Sequence, residues 1–160
     1  MIIRRVLGID PGTATTGWAV VEEKASREKL IASGAITTPK TDDLPARLDS
    51  IYRAISDIIK KYRPKTLAIE ELFFAKNVKT ALAVGQACGV VLLVAKQNKL
   101  QIHEHKPTQI KQAITGYGGS GKRQIQEMIR LRLGMKEIIR PDDAADAVGI
   151  ALTELQTKRY

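Results

Sequence analysis

Apolar residues along the chain change their period several times, and each change marks a candidate element. Ile2 to Asp10, Gly17 to Glu23 and Leu30 to Thr37 are dense in β-branched and apolar residues and are separated by turn chemistry. That pattern predicts three successive antiparallel strands. Leu44, Leu48, Ile51, Tyr52, Ile55, Ile58, Ile59 and Tyr62 then recur at intervals of three and four, as on one face of an amphipathic helix lying over a sheet. After Pro64, the run Thr66 to Glu70 is apolar up to its acidic end, which predicts a strand buried on both faces and paired with the first. Val78 to Lys99 has a helical pattern but is apolar almost all round. One side of such a helix meets the sheet and the other needs cover, for which a partner subunit is the simplest source. Leu100 to His105 reads as a fifth strand, and Pro107 to Thr115, Gln124 to Leu133 and Asp142 to Thr157 read as helices.

Strands grouped early and then alternating with helices imply an α/β fold with helices on both faces of a five-stranded mixed sheet, a three-layer α/β/α sandwich. The length of 160 residues suits one core, so residues 1–160 are expected to form a single domain. The most apolar stretch, Ala81 to Ala95, contains Gln86 and falls short of the roughly 20 apolar residues of a membrane span. The N-terminus lacks the apolar stretch and cleavage site of a signal peptide, and Cys88, the only cysteine, offers neither a disulfide nor a thiolate zinc site. These features predict a cytoplasmic protein with no membrane partner. The net charge of +9 favours a polyanion, and it is concentrated: Lys96 to Arg140 carries ten basic residues against three acids.

Acids stand where the core pattern calls for apolar residues or strand ends. Asp10 closes Val6-Leu7-Gly8-Ile9 and is followed by Pro11 and Gly12, which turn the chain and leave the carboxylate at the strand's C-terminal edge. Glu70 ends Leu67-Ala68-Ile69 in the same way, so neighbouring strands would bring the two carboxylates together, and their repulsion would call for a cation. Asp143 and Asp146 share one face at the start of the last helix and could complete the cluster, while Asp142 reads as the helix cap. Oxygen donors without histidine or cysteine suit magnesium or manganese rather than zinc. Strand periodicity does not choose between Glu70 and Glu71, nor helical spacing between Asp142 and Asp143.

The segments Leu7-Gly8-Ile9-Asp10-Pro11-Gly12, Ile69-Glu70-Glu71-Leu72-Phe73 and Asp142-Asp143-Ala144-Ala145-Asp146-Ala147 resemble those of the bacterial RuvC family of Holliday-junction resolvases. The resemblance runs from Ile2 to about Thr153 and includes Lys76-Asn77, Gly85-Gln86-Ala87 and Lys111-Gln112. It implies an RNase H-like fold, a homodimer, and Asp10, Glu70, Asp143 and Asp146 as metal-binding, catalytic acids; some members have histidine at the Asp143 position. Two magnesium ions per subunit, for which manganese substitutes, would serve an in-line phosphodiester hydrolysis that cuts four-way junction DNA symmetrically. The resemblance also implies RuvA and RuvB branch-migration proteins as partners. Relatives use an aromatic ring just after this strand to stack on unpaired bases; of Phe73 and Phe74, one is expected to pack in the core, and Phe73 is the candidate for the DNA. Lys76, Asn77, Lys111, Lys122 and Arg123 are the further candidate DNA contacts, the last three set around the glycine-rich stretch Gly116 to Gly121.

Other readings explain less of the chain. Gly116 to Arg123 nearly spells a nucleotide-binding P-loop but has arginine where a hydroxyl must meet magnesium. Gly8 to Thr13 resembles the phosphate loop of actin-like sugar kinases, which need two such domains. A YqgF-type nuclease shares the opening motif and is separated by its preference among DNA structures. A non-catalytic DNA-binding module accounts for the charge but gives no reason for converging acids. His103 and His105 alternate on a strand and remain unassigned.

Overall fold

A computed structural model of the protein describes residues 1–72 and 78–157. The chain runs β1 (Ile3–Asp10), β2 (Thr15–Lys24), β3 (Arg27–Thr37), α1 (Leu44–Tyr62), β4 (Thr66–Glu70), α2 (Val78–Gln97), β5 (Gln101–His105), α3 (Pro107–Thr115), α4 (Lys122–Arg132) and α5 (Asp142–Gln156). The five strands form one sheet in the order β3-β2-β1-β4-β5. β1, β2 and β3 are an antiparallel meander, while β4 runs parallel to β1 and β5 parallel to β4. The mixed sheet and the pairing of β4 with β1 are as the hydrophobic pattern predicts.

Strand alternation sorts the core into two layers. Leu7, Ile9, Val20, Leu67 and Ile69 face α1 and α2 and pack with Ile51, Ile55, Ala87, Val91 and Val94. Val6, Ala19, Val21 and Ala68 face the other way, against Ala144, Ala147, Val148 and Ala151 of α5, with Ile110 and Ile114 of α3 and Ile129 of α4 beyond. Because side chains alternate, Asp10 follows Val6 and Gly8 onto the α5 face, and Glu70 follows Ala68 there. Glu71 falls beyond the end of β4, so the structure separates two glutamates that periodicity left equivalent.

Local chemistry explains the element ends. The Asp43 carboxylate accepts a 2.9 Å hydrogen bond from the Ala46 N–H at the start of α1, and Arg63, left-handed at φ 50°, ends that helix before Pro64. The second hairpin is longer than expected. β2 and β3 pair as far as Lys24 and Arg27 because Ala25 and Ser26 both take positive φ, a tight turn made without glycine or asparagine. α4 begins at Lys122, two residues earlier than expected, with Gly121 as its N-cap. Pro141, rather than Asp142, caps α5.

α2 spans 20 residues, ending at Gln97 just before the expected Lys99, and by length and composition only it could cross a membrane. In this fold Ala87, Cys88, Val91, Val94 and Ala95 are buried beneath it, while Val78, Leu82 and Leu93 are 78%, 61% and 52% exposed. The side away from the sheet therefore carries an uncovered apolar surface.

Candidate active site

Glycines bring α5 down onto the strands that carry the first acid. A Cβ on Gly8 would lie 2.2 Å from the Ala147 carbonyl oxygen, and one on Gly17 would lie 2.0 Å from that of Asp143. Only a residue without a side chain allows the helix backbone so close to the sheet. Gly8 is part of the motif around Asp10, but periodicity gives no reason for it, and Gly17 reads in the sequence only as the start of a strand. Glycine inside an apolar strand was the available signal for both.

The approach assembles the acids. Asp10 stands at the C-terminal end of β1, and the pairing of Ile9 with Ile69 sets Glu70 beside it on β4. Asp143 and Asp146 come from the first two turns of α5. One oxygen from each of Asp10, Asp143 and Asp146 can be chosen so that all lie within 4.8 Å of one another. Glu70 flanks this trio and is close enough to raise the Asp10 pKa by charge repulsion.

So many carboxylates cannot all be charged at ordinary cost. Burial, followed by the charges of Asp146, Glu70 and Asp143 and a hydrogen bond with Asp146, pushes the Asp10 pKa up to about 7. Burial and Asp146 push Glu70 up, with the Lys111 ammonium opposing. Burial also raises Asp146, against the pull of Lys122, and the charges of Asp143 and Asp142 add to the rise. Lys122 sits over the helix start with its Nζ 3.3 Å from Asp142 and 3.8 Å from Asp146. Burial works against its charge, but Asp146 and Asp142 prevail and hold its pKa above the usual lysine range. Asp142 is pulled down by hydrogen bonds from Lys122 and Gln126 and is not one of the clustered trio. The donor set fits a hard divalent cation: carboxylate oxygens only, clustered, half-buried and short of positive charge.

Glu70 and Asp146 open into a cleft of about 310 Å³, walled by Lys111 of α3, Ser120, Gly121, Lys122 and Ile150. Lys111 and Lys122 thus border the acids, and Lys122 lies in the first turn of α4 rather than in the preceding loop. Arg123 lies next to it, along an outer groove with Gln124, Glu127 and Met128. Phe73, Lys76 and Asn77 lie outside the described residues.

The family model for the crossover junction endodeoxyribonuclease RuvC matches residues 6–154. The chain belongs to the RuvC family. It is 55% identical over 153 residues to the RuvC of Chloroflexus aurantiacus, covering 96% of this chain and 93% of that one. It is 52% identical over 147 residues to the RuvC of Rubrobacter xylanophilus, covering 92% and 82%. The structure of Thermus thermophilus RuvC in complex with its Holliday junction substrate superposes with a TM-score of 0.90 at 34% identity, over 97% of this chain and 93% of that one. The three-layer RNase H-like fold and the nuclease character of the RuvC relatives agree with the reading from sequence.

Proposed function

We propose that the chain is a divalent-metal-dependent endonuclease that resolves four-way DNA junctions, with Asp10, Glu70, Asp143 and Asp146 as its metal-holding catalytic residues. The clustering of Asp10, Asp143 and Asp146 with Glu70 beside them, next to a lysine-lined cleft into which Glu70 and Asp146 open, in a member of the RuvC family, carries this reading. Asp10 feels the charges of Asp146, Glu70 and Asp143 and would hold the metal together with them. Glu70 approaches from the cleft side and Asp143 from the helix side. Two magnesium ions, or manganese in their place, would supply charge stabilisation on both sides of the scissile phosphate and an activated water.

The protein's own contribution is to hold these oxygens rigidly on two strand ends and one helix, and to guide phosphate in with Lys111, Lys122 and Arg123. Phe73, Lys76 and Asn77, which follow β4 in sequence, are further proposed DNA contacts, Phe73 as the base-stacking ring. The exposed apolar side of α2 supports a homodimer, whose twofold symmetry matches two symmetric cuts. Family membership extends the proposal to RuvA and RuvB as partners, which co-sedimentation on junction DNA tests.

Asp10→Asn is the decisive variant. On mobile junctions with magnesium it is expected to bind as the wild type does and to lose cleavage. Near-normal nicking by that variant would overturn the assignment.

A further inference from the structure

Glu154 is an acid that the proposed mechanism does not use. It lies on α5, two helical turns beyond Asp146 and so about 12 Å along the axis. Its side chain is 2% exposed. Each carboxylate oxygen has an imidazole: His103 Nδ1 lies 2.8 Å from Oε1, and His105 Nε2 lies 2.7 Å from Oε2. The two histidines alternate on β5, which explains the spacing seen in the sequence. They face α5 because Glu70 and His105 are register partners and therefore share a face.

A carboxylate between two imidazoles is costly to bury and gives packing nothing that leucine would not supply. It supplies direction. Two hydrogen bonds donated by the imidazoles to one planar carboxylate fix how far β5 sits from α5 and at what register along it.

That fixed distance matters because each partner leads to a different half of the acid cluster. α5 carries Asp143 and Asp146. His105 lies beside Glu70 across the β4–β5 pair, its carbonyl accepts a 2.8 Å hydrogen bond from the Glu71 N–H, and the chain continues through Lys106 into α3, which carries Lys111. We propose that Glu154, with His103 and His105, is a positioning device that holds the Glu70–Lys111 side of the site at a set distance from the α5 aspartates and thereby sets divalent-cation affinity. The inference rests on the metal-site reading above.

The test is direct binding of Mn2+ to the full chain, followed by the loss of the free-ion EPR signal, with circular dichroism and melting temperature as folding controls. Glu154→Ala and His105→Ala are expected to weaken Mn2+ binding about tenfold, as loss of groups that orient ligands does. Glu154→Gln, which can still accept from one imidazole and donate to the other, is expected to stay within about twofold of the wild type. If Glu154→Ala does not fold, His103→Ala removes one contact at the more exposed ring and should shift affinity in the same direction. Folded variants that bind Mn2+ as the wild type does overturn the positioning role, since a purely structural contact lowers melting temperature alone. Asp10→Asn separates the two levels: if it too binds Mn2+ normally, the metal-site reading falls and takes this inference with it.

Discussion

Asp146 and Glu154 lie on the same helix, the first partly open to solvent and the second fully buried, and they meet opposite surroundings. Around Asp146 the neighbours are Asp10, Glu70 and Asp143, with Lys122 offsetting part of the charge. Around Glu154 each oxygen has its own imidazole. Burial of a carboxylate therefore does not by itself mark a catalytic residue. What separates the two is balance: the Glu154 group is satisfied by the chain alone, whereas the Asp146 group reaches low energy only by taking up protons or a cation.

The comparison can be broken most severely at Asp146. Asp146→Asn is expected to lower single-turnover junction cleavage about a thousandfold, the equivalent of several kcal/mol of charge stabilisation. The same change should raise the melting temperature of the metal-free chain, because it removes a repelling charge. A variant that kept its activity would place Asp146 in the same class as Glu154.

Moving the helix should have the next largest effect. Gly17→Ala forces a methyl group to within 2.0 Å of the Asp143 carbonyl oxygen, so α5 or β2 must shift. A loss of about 1–3 kcal/mol in urea unfolding is expected, together with reduced cleavage. Unchanged stability would mean that the helix is not held against the strand there.

Proton linkage sharpens the contrast. The Asp10 carboxyl has a folded-state pKa of about 7, above its ordinary value of 3.8, so the folded chain binds its proton more tightly than the unfolded chain. Its contribution to stability is present at acid pH and is lost as pH rises through 7. Metal-free protein should therefore lose stability between about pH 4 and 7, on the order of 1–2 kcal/mol after allowance for solvent screening, and level off above that. Saturating magnesium should flatten that slope, as should Asp10→Asn. Urea melts across this pH range, with and without metal, measure it; a flat metal-free profile would contradict the crowding of carboxylates.

Lys122→Ala should have the smallest effect. It removes a cation that faces both Asp142 and Asp146 at the mouth of the cleft. Junction binding is expected to weaken modestly, with the slope of log affinity against log salt falling by about one. An unchanged slope would leave Lys122 as a partner of the aspartates and not of DNA phosphate.

The fold was largely legible because hydrophobic period reports local geometry directly. Alternation in Val6 to Ile9 and the three-and-four spacing in α1 each follow from one element burying one face. The hairpin end at Ala25 and Ser26 was illegible because neither residue advertises positive φ. The acids at Asp10 and Glu70 stood out as charged ends of apolar strands. Lys122 was recognisable only as one basic residue among many, since its meeting with Asp142 and Asp146 depends on where α4 starts. His103 and His105 were visible as a pair but had no assignable role, because their common partner lies 49 and more residues away in α5.

By itself the sequence determined which segments become strands and helices and which carboxylates end up at strand edges, since both depend on near neighbours in the chain. Tertiary structure alone decided that Glu70 rather than Glu71 faces α5, that Asp143 joins Asp10 while Asp142 turns to Lys122, and that Glu154 closes on two histidines. These outcomes depend on the distance between a helix and a sheet. That distance is set by side chains absent at Gly8 and Gly17 and by charges far apart in the chain, and no local period encodes it.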